Sequence, residues 1–214
     1  MDFDEARARM VDEQLMARGI RAARLLDAMR RVPRHLFVPR DQQPLAYTDR
    51  ALPIAGNQTI SQPFMVATMT EALAVEPASL VLEVGTGSGY QAAVLSLLAK
   101  EVLSIERRPE LAAAAAATLR SLGYGNVKVI VGDGTLGAPE LAPFDGILVT
   151  AGAPRVPAAL LDQLRDQGRL VIPVGPPAQQ EVVVVTRDGD RFEESRREGC
   201  VFVPLIGAAG WPEA

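Results

Sequence analysis

Between Ser79 and Val174 short apolar runs alternate with helical stretches, and several of the runs end in glycine or an acid. Leu80–Val84 runs into Gly85 and is followed by a helical segment over Gln91–Ala99. Val102–Ile105 ends at Glu106, and Pro109–Leu122 is the next helix. Val127–Val131 ends at Gly132-Asp133-Gly134, Phe144–Thr150 forms a fourth run, and Arg169–Val174 follows a helical Val156–Leu164. Short apolar runs without polar alternation are strands covered on both faces, and helices between parallel strands supply that cover. The fold expected is therefore α/β, a doubly wound, Rossmann-like open sheet. Val182–Thr186 and Cys200–Val203, joined across Asp188-Gly189-Asp190, are expected as late antiparallel strands.

The region before Ser79 reads differently. Val11, Leu15 and Arg18 lie at helical spacing before Gly19, and Leu25, Leu26 and Met29 stripe a helix over Ala22–Arg31. Pro33 and Pro39 bracket a turn, residues 41–62 are irregular, and Pro63 opens a helix to about Leu73. One domain over 1–214 is expected, with 1–75 a helical cap carrying the active-site loop and 76–214 the cofactor-binding sheet and closing tail. A single cysteine, Cys200, excludes an intrachain disulfide and fits a reducing compartment. That thiol and the one histidine, His35, cannot make a zinc site of the usual ligands, so no metal is expected. The charged Met1–Arg9 segment has no apolar signal core, and Ala92–Leu95 and Val182–Val185 are too short to span a bilayer. A net charge of −4 argues against a general nucleic-acid binder. The reading is cytoplasmic, with neither membrane nor nucleic acid as partner.

The chemistry-bearing residues sit at the ends of successive strands. Glu83-Val84-Gly85-Thr86-Gly87-Ser88-Gly89 spaces its glycines G-x-G-x-G, not as the dinucleotide pattern that cradles a pyrophosphate. The denser spacing suits a ligand without phosphates, such as S-adenosylmethionine, and the only lysines are Lys100 and Lys128. Glu106 follows about 20 residues later, where an acid accepts from both ribose hydroxyls. Asp133 closes the third strand, placed to accept from an adenine amino group. Singly, these are a glycine-rich turn and two helix caps or solvated acids; together they favour a bound adenosine. Upstream, Gln58-Thr59-Ile60-Ser61-Gln62-Pro63 puts hydroxyls before a proline-initiated helix. Ser61 is first of all an N-cap candidate, although Phe64 replaces the capping-box acid. A helix N-terminus also attracts anions, so Ser61 is the alternative holder of a substrate carboxylate.

The whole pattern resembles the protein-L-isoaspartate O-methyltransferase family. The matching residues begin at Met10-Val11, Gln14-Leu15 and Arg18-Gly19-Ile20, and continue through Val32-Pro33-Arg34, Phe37-Val38-Pro39, Ala46-Tyr47 and Leu52-Pro53-Ile54. They run on through Gln58–Pro63, Val81–Val94, Ser104–Arg107, Gly132–Gly134 and Ala142-Pro143-Phe144-Asp145, then Val149-Thr150-Ala151, Gly168–Gly175 and Phe202–Leu205. Thr59–Pro63 is the most family-specific block. The resemblance implies an S-adenosylmethionine-dependent methyltransferase fold and a repair enzyme for isoaspartyl proteins and peptides, releasing S-adenosylhomocysteine. It implies Ser61 as the active-site serine. It assigns Thr59, Glu83, Gly85, Gly87, Gly89, Glu106, Arg107, Asp133 and Gly134 to the cofactor. It assigns Ile54, Ser61, Val203 and Leu205 to the substrate. Ala55 and Asn57 stand where the family usually has glycines; Gly152 and Ala138 replace a common alanine and an aromatic.

The implied acceptor is an α-carboxylate with a reference pKa of roughly 3.5, already ionised at neutral pH. No strong base is needed, which agrees with the near absence of histidine. Three rivals remain at this point: a relative devoted to one aspartyl peptide, a non-catalytic isoaspartyl-reading module, and a small-molecule or RNA methyltransferase. His35 is expected to be structural, Cys200 a buried thiol, and Tyr47 and Trp211 either groove-lining or packing. Arg30, Arg31, Arg34 and Arg40 are read as a solvated face. A monomer is favoured.

Overall fold

The computed structural model describes residues 2–213. The cap begins with α1 (Phe3–Arg9), whose Asp2 carboxylate accepts from the Asp4 and Glu5 N–H groups. A π turn over Met10–Leu15 buries Met10, Val11 and Leu15, and the segment ends at left-handed Gly19. α2 (Ala23–Arg31) buries Leu25, Leu26, Ala28 and Met29. The two-residue strands β1 (Leu52–Pro53) and β2 (Thr59–Ile60) pair antiparallel around the Ala55–Asn57 turn. α3 (Pro63–Leu73) then starts on Pro63, whose missing N–H costs nothing at that position.

The sheet half follows in order: β3 (Leu80–Val84), α4 (Tyr90–Ser96), β4 (Glu101–Glu106), α5 (Pro109–Ser121), β5 (Val127–Val131) and β6 (Phe144–Val149). α6 (Ala158–Leu161), β7 (Leu164–Val174), β8 (Gln180–Asp188) and β9 (Arg191–Cys200) complete it. The seven strands lie in the order β5-β4-β3-β6-β7-β8-β9. β3 to β7 are mutually parallel, while β8 and β9 add antiparallel neighbours. Val81 and Leu82, on opposite faces of β3, are both fully buried. That is why the strand shows no polar alternation. The chain winds from β3 outward to β5 and then crosses back to β6, leaving a switch point at the carboxyl end of β3, where such sheets bind ligands.

Three sequence-based expectations change, two of them element boundaries. The helix expected over Val156–Leu164 is only α6, because β7 starts early: Leu164 pairs with Phe144 before a bulge carries the register to Gly146 and Arg169. The last strand is not Cys200–Val203 but β9, a charged edge strand exposed along nearly its whole length. An edge with solvent on both faces needs no apolar period, and charge there discourages edge-to-edge aggregation. The third change is Arg34, which is no part of a solvated face: it is fully buried.

Candidate active site

The parallel ladder carries the glycine loop to its place. Gly85 N–H donates to the Ile105 carbonyl at 2.8 Å, and Thr150 Oγ1 donates to the Gly85 carbonyl at 2.6 Å. Gly85 has φ +96°, and a Cβ there would run into Thr150 Oγ1, so only glycine fits. Glu106, buried at the end of β4, ties the loop down: Oε2 accepts from Gly87 N–H at 2.9 Å and Oε1 from Arg108 N–H at 3.0 Å. Each oxygen keeps a further lone pair for a ligand hydroxyl.

A cavity of about 200 Å³ opens over this loop. It brings together Thr59 and Ser61 from the cap, Gly85 and Gly87 from the loop, Glu106 and Arg107 from the end of β4, Gly134, and Val203 and Leu205 from the tail. Tyr90, Gln91, Arg108 and Thr150 also line it. Thr150, directly after β6, was findable by the strand-end rule; Tyr90 and Gln91 open a helix and carried no signal distinguishing them from core residues.

Ser61 does not cap α3. The residue in the N-cap position is Gln62, and α3 has no side-chain cap. The carbonyl of Ser61 accepts from Arg34 Nη2 at 2.8 Å, and Ser61 lines the cavity with no side-chain hydrogen bond to protein among the described residues. The capping reading therefore gives way to an available hydroxyl.

Four residues expected at the site lie outside this cavity. Glu83 is fully buried beneath the loop, accepting from Ser104 Oγ, which also shares a hydrogen bond with Thr86 Oγ1 at 2.5 Å. Its other oxygen has no partner, and burial pushes the carboxyl up to about 8, so it holds its proton at neutral pH. Gly89 caps α4 and packs against Ala115 and Leu119 of α5. Ile54 lies over the glycine loop, near the space a Cβ on Gly87 would take. Its N–H donates to the Gln58 carbonyl at 2.9 Å, closing the turn in which Gly56 and Asn57 both take left-handed φ (66° and 55°). Asparagine tolerates that region better than most residues, and Ala55 is not asked to enter it.

Asp133 is the fourth. It lines a neighbouring recess with Arg107, Gly132, Ile206, Trp211 and Glu213. Oδ1 accepts from Thr135 N–H at 2.9 Å and Thr135 Oγ1 at 2.7 Å, and Oδ2 from Ala208 N–H at 2.8 Å. Burial raises this carboxyl, but those bonds and the charge of Arg107 outweigh it and hold the group below the ordinary carboxylate range. The tail is fixed over the strand ends by Leu205 N–H on the Gly152 carbonyl (2.8 Å), Trp211 Nε1 on the same carbonyl (3.0 Å) and an Arg107–Glu213 ion pair.

The smaller candidates are resolved as packing. His35 Nδ1 meets the Tyr47 hydroxyl at 2.8 Å and its ring stacks on Phe3 at 4.0 Å between centroids, away from the cavity. Burial, with the nearby charge of Arg7, lowers its pKa. The half-buried Cys200 thiol is pushed up to about 11 by burial and by Glu181 and Glu198, so it is no nucleophile at neutral pH. Among the described residues no cluster of three or more His, Cys, Asp or Glu could hold a metal, and no helix is long and apolar enough to cross a membrane.

The cavity suits an adenosyl sulfonium. Glu106 offers a half-used carboxylate for a vicinal diol, Val84 and Ile105 give apolar walls, and the glycine backbone leaves room for close approach. A parallel sheet with such a cavity at its switch point is the architecture of the Rossmann-like, S-adenosylmethionine-dependent methyltransferases, and solved structures of that class superpose on it. One, named protein-L-isoaspartate O-methyltransferase, matches with a TM-score of 0.85 at 28% identity, over 95% of this chain and 67% of the other. Another, from Plasmodium falciparum and in complex with S-adenosyl-L-homocysteine, has a TM-score of 0.82 at 25% identity, over 94% and 98% of the two chains. Residues 5–210 match the family described as protein-L-isoaspartate(D-aspartate) O-methyltransferase. The protein-L-isoaspartate O-methyltransferase of Methanoregula boonei is 56% identical over 97% of this chain and 95% of its own. A namesake from Syntrophobacter fumaroxidans is 53% identical over 99% of both. The chain belongs to the protein-L-isoaspartate(D-aspartate) O-methyltransferase family.

Proposed function

We infer that the protein transfers a methyl group from S-adenosylmethionine to the α-carboxylate of L-isoaspartyl residues in damaged proteins and peptides. The ester then closes to a succinimide that reopens in part to normal aspartate. The observation carrying this reading is the shared cavity: an uncommitted Ser61 side chain and a half-used Glu106 carboxylate line one space at the sheet's switch point. When bound, S-adenosylmethionine supplies an electrophilic methyl on its sulfonium, which passes to a carboxylate oxygen while the C–S electron pair stays on sulfur.

The chain's residues position and shield. Glu106 takes the ribose hydroxyls, and Gly85, Gly87, Gly134, Thr59 and Arg107 shape the rest of the donor site. Asp133 and the tail bound to it border the adenine end. Glu83 and Gly89 act at one remove: Glu83 braces Ser104 and Thr86 under the loop, and Gly89 lets α5 pack against α4. Ser61 orients the acceptor by donating its hydroxyl hydrogen to one carboxylate oxygen, and Ile54, Val203 and Leu205 border the peptide. No side chain removes a proton, because the acceptor is ionised already. Alignment then supplies the acceleration, up to roughly 7–11 kcal/mol in well-oriented intramolecular reactions.

The cap (1–75) and the sheet with its tail (76–214) act as one domain, since cap and sheet each contribute walls to the cavity. A monomer acting in the cytoplasm, with no nucleic-acid partner, completes the proposal; the single cysteine and the net charge of −4 support it. The test is incubation with labelled donor and paired peptides differing only in an aspartyl or isoaspartyl linkage. Base-labile label on the isoaspartyl peptide alone is the expected result. Label on both, or on neither, rejects repair in favour of a general aspartyl methyltransferase or a binding module.

A further inference from the structure

Arg34 is fully buried, yet no carboxylate lies within ion-pair distance of it among the described residues. Its Nε donates to the Ala46 carbonyl at 2.7 Å and Nη2 to the Ser61 carbonyl at 2.8 Å. Nη1 has no partner. The guanidinium carbon stands 4.8 Å from the centroid of the buried Tyr90 ring, and Tyr90 is one of the residues that border the cavity. Burying an unpaired cation is costly, and a cross-link between two carbonyls needs only a neutral donor. A retained charge, one peptide group behind Ser61, calls for an anion that arrives later.

We propose that Arg34 is a positioning residue for the acceptor: it fixes the Ser61 backbone and supplies the buried positive field that makes this wall select an ionised carboxylate. The inference rests on the acceptor reading above. The other charges on the cavity, Glu106, Arg107 and Arg108, belong to the end of β4 and the residues just after it. Burial pulls Arg34 down to about 10, which leaves it charged at neutral pH. The fork matters as well as the charge, since its planar donors span Ala46 and Ser61 together.

The test compares an isoaspartyl peptide with the same peptide carrying an α-carboxamide. Both are titrated against the whole protein saturated with S-adenosylhomocysteine, so that no sulfonium contributes. The wild type is expected to bind the acid about tenfold more tightly, on the order of other charge-assisted contacts. Ser61→Ala keeps the backbone carbonyl and the guanidinium, so most of that preference survives. Arg34→Met reduces it to under about twofold while the S-adenosylhomocysteine Kd stays within about twofold. Arg34→Lys keeps the charge but loses the fork, so the acid preference persists while kcat falls about tenfold. An unchanged preference in Arg34→Met overturns the proposal, as does its loss in Ser61→Ala or Arg34→Lys, or its absence in the wild type. If Arg34→Met does not fold, the other two variants decide. A wild type that leaves isoaspartyl peptides unmethylated overturns the activity reading instead, and the acid-over-amide measurement still stands as a separate result.

Discussion

The two walls of the cavity are built by opposite means. The wall proposed for the donor hangs from a parallel ladder: β3 and β4 are in register from Leu80↔Glu101 to Val84↔Ile105, and the glycine loop inherits its place from them. The wall proposed for the acceptor has almost no ladder of its own, only the paired two-residue strands β1 and β2. It is held by side chains reaching for carbonyls: Arg34 to Ala46 and Ser61, Gln14 to Tyr47, and Gln62 to Asp49. Backbone ladders are cooperative and tolerant of side-chain identity, whereas each side-chain tether is a single replaceable contact. The donor wall should therefore fail through its backbone and the acceptor wall through single side chains.

That contrast breaks if backbone crowding on the donor side proves harmless. Gly85→Val should cost at least ~3 kcal/mol of stability, or leave a protein without donor binding, because a branched Cβ meets Thr150 at a positive φ. Chemical denaturation and donor titration measure both.

Next in size is a pH effect beneath the same loop. The folded state holds a proton on Glu83 up to about pH 8, while the unfolded chain releases it near its ordinary 4.5. The stabilisation is complete below pH 4.5 and is lost as pH rises toward 8. Wild-type stability should fall by roughly a few kcal/mol across that window, and Glu83→Gln should flatten the slope. Equal slopes in the two proteins would show that Glu83 is ionised in the fold.

Two substitutions then separate the walls. Glu106→Gln should weaken the donor about tenfold or more with little change in the acceptor KM, the loss of a charged hydrogen-bond acceptor. Ser61→Ala should lower kcat about 10–100-fold while donor affinity stays within about twofold, the loss of a hydroxyl on an anion. If both variants lost donor affinity alike, the walls would not be functionally distinct. The smallest effect tests the turn between them: Asn57→Gly should change stability by under ~0.5 kcal/mol, since asparagine already occupies the left-handed region there.

Legibility followed the same division. Leu80–Val84, Glu106 and the α3 start at Pro63 are readable because local composition and position agree. Arg34 is not. Between Pro33 and His35 it looks like any surface arginine, and only long-range packing buries it against Ala46, Ser61 and Tyr90. β9 escaped notice because it is defined by pairing with β8 and not by anything it buries.

The amino-acid order alone determined the alternation of strand and helix, the glycine loop and the acid closing β4, because unbranched backbone turns and doubly covered strands leave local marks. Only the folded chain decided that Ser61 is free of capping, that Glu83 and Asp133 are engaged with protein groups, and that a buried cation with no carboxylate partner among the described residues stands behind the serine. Those outcomes depend on which polar atoms meet across long stretches of chain, and hydrogen-bond satisfaction is settled in three dimensions.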